Sequence, residues 1–141
     1  MTIQNIIDAI AEALFQEFGE DYEIHADKVE QGLNPKSFII RCLNPTMNKH
    51  LGNVYLRTNQ FSVQYIPSDV DPITECTNVM ERLFECLEDV TVLDRIVHGA
   101  ELHGVIADDI LTFTVNYDAF VRKVPATYIM EVLDIETDVK G

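Results

Sequence analysis

The feature that most constrains the fold is a stretch without acidic residues, Gln31 to Ser68, in a chain that is otherwise strongly acidic. It contains two strand-like runs, residues 37–43 and 54–66, with a polar loop predicted between them over residues 46–53. The first run is apolar on both sides, as in a buried strand, and the second alternates apolar with polar residues. The stretch is formally +4, whereas the rest of the chain, with 6 basic and 24 acidic residues, carries −18. A basic pair of strands in an acidic protein is therefore the starting point for the fold.

Two segments outside this stretch have the apolar spacing of amphipathic helices. Apolar residues recur at helical spacing over residues 3–18, where Thr2 can cap the start and Gly19 can end the helix. A second apolar stripe follows Asp71, which can act as its cap, and ends near Asp89. Because each segment has a single apolar stripe, both helices are predicted to pack against a sheet.

Three further runs predict the remaining strands. Residues 22–27 and 97–106 have strand character, and residues 111–118 show the clearest alternation in the chain. A tight turn is predicted at residues 107–109. The predicted order is α-β-β-β-α-β-β, which closes most simply as an α+β fold. We expect a mainly antiparallel or mixed sheet of about five strands with two helices packed on one face.

The length and the end of the chain suggest the domain organisation. A chain of 141 residues fits one domain with its own core, which we expect to span residues 1–125. Residues 126–141 are predicted to form a C-terminal extension. Within it, Tyr128 to Ile135 can add an edge strand or reach onto a neighbouring molecule.

The overall composition excludes several classes of protein. A net charge of −14 argues against a protein that grips DNA or RNA, because such binding neutralises phosphates. No run of about 18 apolar residues predicts a membrane span, and the N-terminus does not resemble a secretory signal. The three cysteines have no CxxC spacing and are expected to be reduced thiols. An intracellular protein is therefore expected.

The histidines offer the best opportunity for a metal site. His98 and His103 lie close in sequence to Glu101 and Asp109. An odd spacing on a regular strand, however, places the two rings on opposite faces. We therefore expect no metal site and no cofactor.

Residues suited to catalysis occur without a signature context. No serine has the surroundings of a nucleophile, and no glycine-rich loop has the spacing that cradles phosphate. The paired acids at 88–89 and 108–109 lie where helix ends and turns favour them. Arg41 and Arg57, on neighbouring strands, can bind an anion together, although solvated charges or interface residues are the commoner case. We expect the protein not to be an enzyme.

Several short motifs follow one another along the chain. Their residues are Val29-Glu30-Gln31-Gly32-Leu33, Pro35, Ser37-Phe38, Ile40, Leu51-Gly52, Tyr55, Phe61 to Pro67, Asp108 to Phe113 and Tyr117. In the same order, they resemble motifs of a phage tail terminator family from phages and prophages of Gram-positive bacteria. The first block of that family has the pattern EQG-L-x-P-x-F-x-I, and its later strands read F-x-I-x-Y-F-P and D-G-V-L-H-F followed by Y. The sequence departs from the pattern at Ile66, Asp109 and Thr112.

The resemblance implies a structural protein of a virion tail or a prophage-derived tail. Proteins of this kind form hexameric rings that cap the tail tube, stop its polymerisation and meet the head-side connector. The implied partners are further copies of the chain, the tail tube protein and the head–tail connector. The implied location is the virion tail, and the cytoplasm of the host bacterium during assembly.

The basic residues of the acid-free stretch are the candidate assembly surface. We expect this surface to meet an acidic face of a neighbouring subunit or of the tube end. Two alternatives stay open: a head–tail connector or neck protein of the same fold, and a small non-catalytic ligand-binding domain. The candidate interface residues are Lys36, Arg41, Lys49, His50 and Arg57.

Overall fold

The computed structural model describes residues 2–26, 34–68 and 70–123. The predicted boundary at residue 125 and the C-terminal extension lie outside these residues. The elements, in chain order, are α1 Ile3–Phe18, β1 Glu23–Ala26, β2 Ser37–Leu51, β3 Val54–Ile66, α2 Pro72–Cys86, β4 Asp89–Val92, β5 Arg95–Ala107 and β6 Ile110–Arg122.

Both helices begin at the residues that the sequence predicts. The Thr2 hydroxyl accepts from the Asn5 amide at 3.1 Å, and the Asn5 side chain accepts from the Thr2 amide at 2.8 Å. This reciprocal pair satisfies two amides that the first turn leaves without a helical partner. Gly19 ends α1 at a φ of 86°. Asp71 caps α2, with proline at the first helical position.

The six described strands form a mixed sheet in the order β1-β2-β3-β6-β5-β4. β1 is parallel to β2, and all other neighbours are antiparallel. The expected α+β class is therefore confirmed, with one strand more than predicted. The additional strand is β4, which lies where the sequence predicts the end of the second helix. α2 ends at Cys86, and only four residues form β4.

The helices cover one face of the sheet and form the core with it. Aromatic rings mark its centre: the Phe38 ring lies 4.8 Å from Phe18 and 4.9 Å from Tyr65, centroid to centroid. Such tilted pairs contribute about 0.5–1.5 kcal/mol each beyond the burial of their area. The buried residues Phe61, Val63 and Tyr65 alternate along β3 as predicted.

The predicted polar loop over residues 46–53 is wrong. β2 continues through it to Leu51, and the chain turns at Gly52, whose φ is 58°. Pro45 is accommodated because the β2–β3 register shifts between Leu43 and Thr46. A proline in a sheet is normally confined to such a bulge or to an edge.

The long β2–β3 hairpin projects beyond the helices together with the end of β6. We call residues 46–58 and 118–123 the arm. Within it, β3 lies between the other two strands: Tyr55 pairs with Lys49 on one side and with Val121 on the other. No arm residue belongs to the hydrophobic core cluster. The arm is therefore a three-stranded extension that exposes both faces.

A bulge in β5 changes which histidines share a face. Ala100 pairs with Asn116, but the next described pair is His103 with Thr114, so β5 contains one extra residue. Glu101, within the bulge, has a φ of 54°. The extra residue reverses the alternation, so His98 and His103 lie on the same, helix-free face. The expectation of opposite faces, which assumed a regular strand, is wrong.

Candidate assembly surface

The pairing of the arm strands assigns its side chains to two faces. Tyr55 and Arg57 continue the odd-numbered series of β3 that begins in the core, so they lie on the side of the sheet that carries the helices. Their cross-strand partners lie on the same face. We call this side the basic face of the arm, defined by Met47, Lys49, Tyr55, Arg57, Val121 and Lys123.

The basic face contains three cations and no acid. The Lys123 ammonium lies 4.7 Å from the centroid of the Tyr55 ring. The Lys123 amide donates to the Asn53 carbonyl at 2.8 Å, which fixes the end of β6 beside the hairpin turn. Lys49 is exposed and Arg57 is half-buried. Two of the three cations are therefore partly held in place, and the third extends into solvent.

The opposite face and the tip of the arm expose apolar side chains. Phe120 is 64% exposed, and its ring lies 5.1 Å from that of His50, centroid to centroid. Leu51, next to the turn, is 75% exposed. Exposed aromatic and aliphatic side chains are typical of protein–protein contact surfaces.

The charges of the arm and of the helices are opposite in sign. The arm carries four basic residues and one acid, Asp118, and is formally +3. We call residues 2–22 and 70–88 the helix layer; it carries ten acids and one basic residue, Arg82, and is formally −9. The molecule therefore has a basic extension and an acidic helical side.

Three of the five sequence-predicted interface residues lie together. Lys49, His50 and Arg57 are all in the arm. Phe120 and Lys123 complete the surface but are absent from the sequence prediction. Phe120 lies in the run Ala119 to Val121, which has apolar residues at consecutive positions, and Lys123 follows that run. The alternation that marks the first half of β6 therefore does not extend to either residue.

The other two predicted residues lie elsewhere. Lys36 precedes β2 at the end of the strand away from the arm, roughly 40 Å along the strand from Lys49. Its ammonium lies 5.4 Å from the centroid of the Tyr22 ring. Arg41 pairs with Ser62 on the helix-free face. Because Arg57 lies on the other face, the two arginines do not form a joint anion site.

A surface groove of about 400 Å³ lies beside the start of α2, between Tyr22 and Arg82. Glu75 lines it but is engaged in the fold: its carboxylate accepts from the Tyr65 hydroxyl and from the hydroxyl and amide of Ser68. Burial favours the neutral form of Glu75, but these hydrogen bonds outweigh it and hold the carboxyl pKa below its ordinary value. This carboxylate joins β3 to α2.

In the part of the chain that the structure describes, no group of three histidine, cysteine or acidic side chains has the arrangement of a metal site. No helix among the same residues is long and apolar enough to cross a bilayer.

The sequence matches the model of one protein family, described as phage tail terminator protein, over residues 5–128. The match covers α1 from residue 5 onward, the whole of α2 and all six described strands, including the whole arm. A comparison with curated protein sequences found no match. Because the family model spans most of the chain, the resemblance in the short motifs is confirmed. The chain belongs to the phage tail terminator family, and it is a structural component of a phage tail.

Proposed function

We propose that this protein caps the tail tube, stops its polymerisation and joins it to the head-side connector, acting as a ring of six copies. The family match over residues 5–128 is the observation that carries the proposal. The role requires interfaces with further copies, with the tail tube protein and with the connector. It requires no catalytic group.

The charge distribution supports an assembly role. A closed ring of identical subunits needs two different, complementary patches on each subunit. A basic arm and an acidic helix layer on one chain meet this requirement. Lys49, His50 and Arg57 are the predicted interface residues that the proposal retains as one surface. Lys36 and Arg41 would belong to separate contacts.

Deletion of the gene from its phage or prophage tests the function. We expect tail tubes of uncontrolled length without heads in negative-stain images of induced lysates. Purified protein supplied to such a lysate should cap the tubes that are still short. An unchanged distribution of tail lengths, with heads joined normally, would refute the proposal. Headless tails of normal length would instead indicate a connector, the alternative with the same fold.

A further inference from the structure

We infer that the basic face of the arm binds α1 of a neighbouring copy of the same chain. The inference rests on the proposed ring and names the two surfaces that form it. The donor surface is the basic face already defined, in which Lys49, Arg57 and Lys123 surround Tyr55 and no acid lies among them.

The acceptor surface is an exposed strip of α1. Asp8, Glu12 and Phe15 lie at positions i, i+4 and i+7, which places them on one side of the helix. All three are exposed, and Phe15 is 46% exposed. Gln4 donates to Asp8 at 3.0 Å and Gln16 donates to Glu12 at 2.8 Å, so both carboxylates are oriented along the helix. The strip therefore combines an aromatic ring with two carboxylates held beside it.

The strip of α1 is a better acceptor than α2 because α1 contains no basic residue. α2 carries Arg82, whose guanidinium donates to the Glu17 carboxylate at 2.9 Å and lies 4.1 Å from the centroid of the Phe18 ring. This cation reduces the negative potential where the two helices meet. The strongest complement to three cations is consequently the cation-free helix.

The contact joins two different surfaces, the arm of one copy and α1 of the next, so it can be repeated head to tail. Each copy donates its arm and receives another, which yields a ring when the rotation closes. Because both surfaces are exposed, salt should weaken the association.

Paired charge reversals in the full-length chain test the inference. The arm variant is Lys49→Glu/Arg57→Glu, and the strip variant is Asp8→Lys/Glu12→Lys. Each alone should associate about tenfold more weakly than the unmodified chain in sedimentation velocity at low salt, because several exposed pairs change from attraction to repulsion. A mixture of the two variants should restore association, since each reversed surface then meets a reversed partner in an alternating ring.

A control reverses one exposed cation that lies outside the arm and is none of the five predicted interface residues, Arg95→Glu. It should associate like the unmodified chain, and circular dichroism should show every variant folded. The inference is overturned if the arm variant associates normally, if the mixture fails to restore association, or if the unmodified chain stays monomeric at low salt. None of these results would refute the proposed function, because that function is tested independently by the tail lengths of the deletion strain.

Discussion

Replacing Gly99 by alanine should destabilise the fold through a lack of space. The φ of Gly99 lies outside the left-handed region, so its backbone conformation is open to other residues. A Cβ there would lie 3.0 Å from the carbonyl oxygens of both Leu87 and Glu88, and 2.8 Å from a methyl of Val115. The Gly99 amide also donates to Glu88 at 2.5 Å. The link between α2 and β4 therefore passes directly over this glycine.

The expected magnitude follows from three contributions. Overpacking against atoms that cannot rotate away costs about 1–3 kcal/mol. Displacing the Leu87 carbonyl weakens its hydrogen bond from the buried Tyr117 hydroxyl, which contributes about 1 kcal/mol. Alanine recovers about 0.5–1 kcal/mol in a strand because it restricts the unfolded chain. The unfolding free energy should fall by about 1–3 kcal/mol.

Gly104→Ala provides the matched control on the same strand. Its Cβ would meet the Met80 thioether, which is the flexible end of a half-buried side chain. Rotation of Met80 and the gain from alanine should leave stability within about 1 kcal/mol of the unmodified protein. Urea unfolding followed by circular dichroism measures both variants. Equal effects of the two substitutions, or a Gly99→Ala protein within about 0.5 kcal/mol of the original, would refute the reasoning.

Three further predictions concern other buried or half-buried groups. The folded-state pKa of Glu75 lies below its ordinary value of 4.5, so its contribution to stability is present above pH 4.5 and lost as pH falls through the lower folded value. Glu75→Gln should therefore destabilise the protein at pH 7 and reduce the loss of stability on acidification, as measured by urea midpoints between pH 3 and 7. Tyr117→Phe leaves the Leu87 carbonyl without its donor and should cost about 1–2 kcal/mol in the same assay. Burial raises the pKa of the Cys86 thiol to about 12, so iodoacetamide at pH 8 should label it far more slowly in the native protein than in urea, as followed by peptide mass spectrometry.

The sequence predicts best those elements whose local chemistry and tertiary role agree. The bounds of β3 are correct because its alternation is regular and Pro67 follows it. Both helix starts are correct because Thr2 and Asp71 act as caps. β4 is missed because a four-residue strand directly after a helix offers too few positions for a periodic pattern.

The arm is harder to predict because it lacks a buried side. Residues 46–51 of β2 expose both faces, so their polarity resembles that of a loop, and Pro45 reinforces that interpretation. Lys49 and Arg57 are recognisable as neighbours from the hairpin alone. Lys123 is not, because its position beside Tyr55 depends on the register of β6 against β3, which joins residues more than 60 positions apart.

The two outer edges of the arm differ in how readily they accept another strand. One outer edge is formed by β2, which pairs with β1 only as far as Ile40. Beyond Ile40, β2 contains Pro45 and two register shifts against β3, and these disfavour pairing with a further strand. The other outer edge is formed by the end of β6, which pairs with β5 only as far as Tyr117. From there to Arg122, β6 contains no bulge and no proline. Since the Lys123 amide faces the hairpin, alternation turns the amides of Phe120 and Arg122 outward. Among the residues that the structure describes, the β6 edge of the arm is therefore the one suited to accept an added strand, so the two edges are not equivalent.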